Sequence, residues 1–170
     1  MISPSGRILT KLTESRYICK LTDFGISSHT TGAIVLGGSH LWQAPECIRD
    51  AYFELENAKR TDVYSFGMLV WRVMLDGNPF ESLGKFEGET PTKRREKRND
   101  AVAHLKMEDR LVQHACDSLA ASGKFSSQQL GTLCDVIKLT LTKDPSKREV
   151  NIGRLIRLLM PNMWYQTRLV

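Results

Sequence analysis

The spacing of apolar residues changes twice along this chain. Ile8–Leu12 and Tyr17–Leu21 are short runs of apolar and β-branched residues joined by the polar link Thr13–Arg16, a pattern that predicts a β-hairpin. From Gly25 to Leu41 the chain is rich in Gly, Ser, Thr and His and shows no period. That predicts a long loop, and long loops in compact domains are usually functional. Thr61 then reads as the cap of an apolar helix, DVYSFGMLVWRVML, whose large side chains point in almost every direction. A helix of that kind is buried on most sides, at the centre of a helical domain. Turn residues at Asp76–Phe80 end it.

The second half is helical with one polar gap. Ser82–Asn99 carries few apolar residues and reads as a loop or insert, and Asp100–Ala121 has a helical pattern. Ser126 and Gln129 form a capping-box signature. Leu130, Leu133, Ile137 and Leu141 follow at helical spacing. Lys143–Glu149 is a break. Ile152, Leu155, Ile156 and Leu159 then predict a last amphipathic helix, stopped by Pro161. The fold class is therefore mainly α, with a short N-terminal hairpin, a long loop and a set of helices.

Composition narrows the function classes. The chain has 170 residues, 41% of them apolar and 25% charged, which suits a single soluble domain. The net charge of +5 is concentrated in KRREKR, Lys93–Arg98, which holds five positive residues and one negative and so supplies +4. Basicity confined to one segment argues against a nucleic-acid face. The run itself reads as a solvated insert, with a phosphate-binding or nuclear-import patch as the alternative. Cys19, Cys47, Cys116 and Cys134 lack zinc-ligand spacing and read as reduced thiols of a cytosolic or nuclear protein. His29, His40, His104 and His114 show no ligand spacing either. Val63–Leu75, the most apolar stretch, is too short to cross a bilayer, so no membrane association is expected.

Four local motifs carry a more specific signal: DFG at Asp23–Gly25, APE at Ala44–Glu46, TDVYSFGMLVW at Thr61–Trp71 and KDPSKRE at Lys143–Glu149. In this order and spacing they resemble the C-terminal lobe of a protein kinase, over roughly Ile8 to Met160. The wording of the third motif is most similar to the tyrosine-kinase-like branch of the serine/threonine kinases. The resemblance implies a hairpin at 8–21, an activation segment at 23–46, helices over 61–160, a tail at 161–170 and no N-terminal lobe. It also implies roles. Asp23 would bind the magnesium that bridges the ATP phosphates, a task suited to a hard oxygen ligand. Phe24 would pack behind that metal, and Gly25 would let the loop reorient. Ser39 and Trp42 would lie in the loop that holds a substrate peptide. Glu46 would pair with Arg148 and pin the activation segment to the last helices. Asp62 would accept backbone N–H groups of the catalytic loop, or simply gain from the dipole at its helix start. Ser27, Ser28, Thr30 and Thr31 are hydroxyls of a polar loop, with phosphorylation as the alternative.

The same resemblance shows what these residues omit. Phosphoryl transfer needs a Gly-rich flap, a Lys on the phosphates, a catalytic Asp and an Asn on the second metal, and in the family all four precede DFG. Here Asp23 is the first Asp, Asn57 is the first Asn, and no His-Arg-Asp or G-x-G-x-x-G occurs. No catalytic residue is assigned. The resemblance implies ATP and magnesium as cofactors, whereas these residues alone predict poor nucleotide binding and no catalysis. Two alternatives accompany the kinase reading: a pseudokinase-like module that docks a protein substrate or a partner kinase, and a fragment of a longer gene product. An uncovered lobe surface near Phe24 and Asp62 is expected to expose an apolar patch or recruit a partner. Cytoplasmic or nuclear placement is expected.

Overall fold

A computed structural model describes residues 39–49, 55–84 and 88–160. All belong to one compact unit, Gly32–Val170. The expected hairpin at 8–21, together with Asp23, Phe24 and Gly25, lies outside the described residues.

Among the described residues six helices run in the order α1 (Pro45–Arg49), α2 (Leu55–Leu75), α3 (Pro91–Met107), α4 (Leu111–Ala121), α5 (Ser127–Leu141) and α6 (Ile152–Leu159). Short 3₁₀ turns occupy Glu81–Gly84 and Pro145–Lys147. The described part is mainly helical, and no strand occurs among the described residues.

Helix α2 organises the rest because it buries two faces. Tyr64, Met68 and Trp71 recur at i, i+4 and i+7 and join a core with Leu111, Ala115 and Leu119 of α4 and Leu133, Ile137 and Leu141 of α5. Val63 and Val70 face another cluster with Val136 of α5 and Leu155 of α6. Trp71 is fixed on both sides: its Nε1 donates to Ser118 Oγ at 2.8 Å, and its ring meets Phe80 edge-on at 5.3 Å. A third strip of α2 stays open. Leu69 and Val73 are 53% and 60% exposed and lie, one turn apart, on the row that begins at Asp62.

Glycine 67 sets the distance between α2 and α5. A Cβ there would stand 2.2 Å from Thr140 Oγ1, 2.6 Å from Thr140 Cβ and 2.9 Å from Leu141 Cδ2. The helices therefore touch backbone to side chain, which offsets the cost of about 1 kcal/mol that Gly carries in a helix interior.

Three expectations need correction. Thr61 does not cap α2, which begins at Leu55; its buried hydroxyl donates to the Ala58 carbonyl at 2.7 Å inside the helix. The apolar run marked the buried part of α2, and the polar first turns were invisible to it. Ser82–Asn99 is not a loop throughout. Pro91 opens α3, and Thr90 caps it by accepting from Lys93 N–H at 3.4 Å. Residues 91–97 are exposed, so they show no apolar period, yet Lys, Arg and Glu are good helix formers. Finally, Asp100–Ala121 is two helices. Asp109 adopts φ +59° between them, a left-handed conformation that Asp tolerates. Its carboxylate accepts from Lys143 N–H at 2.9 Å. The capping box at α5 forms in both directions, with Gln129 N–H to Ser126 Oγ at 3.3 Å and Ser126 N–H to Gln129 Oε1 at 2.9 Å.

Candidate functional site

The candidate site is the segment 39–46 and the side chains beneath it. Ser39 and His40 are exposed, while Ala44, Pro45 and Glu46 are buried. The Ser39 carbonyl accepts from Trp42 N–H at 2.8 Å and Gln43 N–H at 3.2 Å, closing a tight turn. Ser65 Oγ, on α2, donates to the Trp42 carbonyl at 3.2 Å. Trp42 itself is half-buried against the main core.

Glu46 and Arg148 meet below this turn. Arg148 Nη1 donates to Glu46 Oε1 at 2.5 Å and Nη2 to Oε2 at 2.8 Å. Both residues are almost fully buried. This is the two-bond geometry that a planar guanidinium offers a carboxylate. The same guanidinium donates to the carbonyls of Arg60, Thr142 and Lys143 at 3.0 to 3.1 Å. Arg60 completes the anchorage by donating to the carbonyls of Pro145 and Arg148 at 3.1 and 3.2 Å. One ion pair thus ties α1, the start of α2 and the turn before α6 together.

A second cation sits beside the first. Lys106 of α3 is 1% exposed, and its ammonium donates to the carbonyls of His40, Leu41 and Gln43 at 3.3, 2.9 and 2.6 Å. Burial pulls its pKa from 10.5 down to about 8, so it keeps its proton at neutral pH. The Tyr64 ring lies between the two cations, with Arg148 Cζ 4.9 Å and Lys106 Nζ 5.6 Å from its centroid. Such contacts favour a cation by roughly 0.5–2 kcal/mol each. The Tyr64 hydroxyl is buried without a hydrogen-bond partner among the described residues, and burial pushes its pKa well above the usual phenol value. Tyr64→Phe is therefore expected to leave stability unchanged or raise it by up to about 1 kcal/mol. A urea midpoint lowered by the variant would show that the hydroxyl has an unseen partner.

Among the expected site residues, the structure brings Ser39, Trp42, Glu46 and Arg148 around one loop. Among the described residues Asp62 makes no hydrogen bond or ion pair with that cluster. It is exposed in the interior of α2, eight residues in, so the dipole at the helix start no longer reaches it. Partial desolvation raises its carboxyl above the ordinary value. Lys106, Ser65, Arg60 and Tyr64 carry the loop and were not singled out from sequence. Lys106 had a legible signal: it follows Val102 by four residues and so shares the buried stripe of α3.

The sequence pattern of the protein kinase domain matches residues 7–153. The chain belongs to the protein kinase family. Human mitogen-activated protein kinase kinase kinase 10 is 35% identical over 68 residues, which cover 39% of this chain and 7% of that protein. Human mitogen-activated protein kinase kinase kinase 11 is 35% identical over 66 residues, covering 38% and 7%. Human atrial natriuretic peptide receptor 2 is 31% identical over 87 residues, covering 47% and 8%. The chain thus spans less than a tenth of the length of these relatives. No solved structure matches it significantly. Within the kinase family, Glu46 stands in the APE motif and Arg148 in the motif near the end of the domain.

Proposed function

We propose that this kinase-family chain is a protein-docking scaffold of serine/threonine kinase ancestry that does not transfer phosphate by itself. The observation that carries the reading is the Glu46–Arg148 pair, which ties the segment holding Ser39 and Trp42 to a packed helical body. That anchorage supports a scaffold able to hold a peptide. The catalytic loop and Gly-rich flap that would act on ATP are not in these 170 residues, which contain neither His-Arg-Asp nor a G-x-G-x-x-G loop. Loss of a single group of that kind commonly slows a reaction about 100-fold or more.

Among the described residues no group of three or more His, Cys, Asp or Glu is placed to hold a metal ion, and Asp23 lies outside them. When bound, the metal would neutralise phosphate charge, and Asp23 is the residue proposed to hold it. The absence of a basic residue between Gly37 and Trp42 other than His40, and the hydroxyl of Ser39, favour Ser/Thr over Tyr peptides. Two of the relatives are by name kinases of another kinase, so the partner we propose is a protein kinase.

With labelled ATP, magnesium and a Ser/Thr peptide, the purified chain is expected to transfer no phosphate above a blank. Transfer that disappears in Asp23→Ala would overturn the reading. The small share of its relatives' length favours a second reading, in which the chain is part of a longer kinase. An in-frame Gly-rich strand, Lys strand and His-Arg-Asp loop in the genomic DNA upstream of Met1 would establish that one.

A further inference from the structure

Consecutive carbonyls of a surface turn rarely all face inward, because each needs a donor. In 39–43 all five do have one. Ser39 O is used by the turn itself, and Trp42 O by Ser65. The other three, from His40, Leu41 and Gln43, converge on a single atom, Lys106 Nζ. An ammonium has three N–H donors and no acceptor, so donors and acceptors match one to one. The interaction spans 63 to 66 residues of sequence, so no local tendency of the turn explains it.

We propose that Lys106 is the positioning residue of the 39–43 loop, holding its peptide planes so that Ser39 and His40 stay outward on the face offered to a protein partner. The role as a docking face rests on the proposed function above; the role of Lys106 in shaping the loop does not. Three fixed carbonyls set the orientation of the peptide units after His40, Leu41 and Gln43. Helix α3 thereby determines the shape of a loop to which it is joined only through α1 and α2. The remaining groups around the ammonium are the Tyr64 ring of α2 and, from α1, Glu46 and Cys47. Glu46 is already engaged by Arg148, and burial pushes the Cys47 thiol up to about 11, so neither competes with the carbonyls for the ammonium at neutral pH.

The test is NMR on the isotopically labelled full chain at neutral pH, with no nucleotide or partner added. In Lys106→Met the carbonyl ¹³C signals of His40, Leu41 and Gln43 are expected to shift. The Trp42 and Gln43 amides are expected to exchange at least tenfold faster, while amides of α5 keep their protection. Lys106→Arg, which keeps the cation and several donors, is expected to restore most of that protection. Unchanged carbonyl signals and exchange in the Met variant would overturn the proposal. So would equal loss of protection in the loop and α5, because Lys106 would then be a general core residue. If the Met variant does not fold, the wild-type ammonium decides: slowly exchanging Nζ protons coupled to those carbonyl carbons support the role, and a freely rotating ammonium refutes it. A loop that depends on Lys106 yet binds no kinase would sink the docking reading alone.

Discussion

Arg148→Met is expected to lower the stability of this chain by roughly 3–5 kcal/mol, the usual penalty for stranding one member of a buried ion pair. That is a large share of a typical domain's 5–15 kcal/mol, so a much reduced urea midpoint, or no folded protein at all, is the expected result. The cause is specific. Glu46, 4% exposed, would keep its carboxylate without its ionic partner among the described residues. The carbonyls of Arg60, Thr142 and Lys143 would lose their donors as well. Neutralising the carboxylate in a Glu46→Gln, Arg148→Met double variant should recover part of the loss but not all, because the Thr142 and Lys143 carbonyls remain without that donor. Arg148→Lys should also be costly, since an ammonium cannot make both carboxylate bonds and reach the carbonyls. A loss below about 1 kcal/mol in the Met variant would mean that the pair contributes little to the fold.

Gly67→Ala carries the second-largest expected effect, and two terms of opposite sign decide it. Alanine gains about 1 kcal/mol of helix propensity. Against that, the new Cβ meets Thr140 Oγ1 at 2.2 Å and Thr140 Cβ at 2.6 Å. Thr140 is β-branched, fully buried and held by its hydrogen bond to the Val136 carbonyl at 2.7 Å, so it has little room to turn aside. Overpacking of this kind costs about 1–3 kcal/mol or more, and contacts this short put it at the upper end. A net loss of about 2 kcal/mol in chemical denaturation is expected. Thr140→Ala in the same chain should relieve only part of it, because the Cβ contact stays while the Oγ1 contact goes. The two substitutions should therefore be non-additive. A stabilised Gly67→Ala would show that α2 and α5 are not in close contact.

Much of the helical order was legible from spacing. The apolar core of α2, the capping box of α5 and the amphipathic α6 each announce themselves through residues a few positions apart, where local preference and burial agree. The basic run of α3 was not legible as a helix. Its first turns touch solvent on every side, and apolar periodicity is silent for a helix with no buried face. Asp109 was equally hidden, since a single left-handed residue between two helices leaves no mark on a hydrophobic pattern. The site was half legible. Glu46 and Arg148 were paired through the family resemblance across 102 residues, while Lys106 passed unnoticed although it lies on the buried stripe of its own helix.

By itself the sequence determined where most helices run, which motifs place the chain in the protein kinase family, and which charges for phosphoryl transfer these 170 residues omit. Those properties depend on residue type and short spacing. The tertiary structure alone decided that Gly67 admits Thr140 and that Lys106 gathers three carbonyls from a loop more than 60 residues away. Close approach and convergence of donors on acceptors are set by how packed helices bring distant residues together, and no local pattern encodes that.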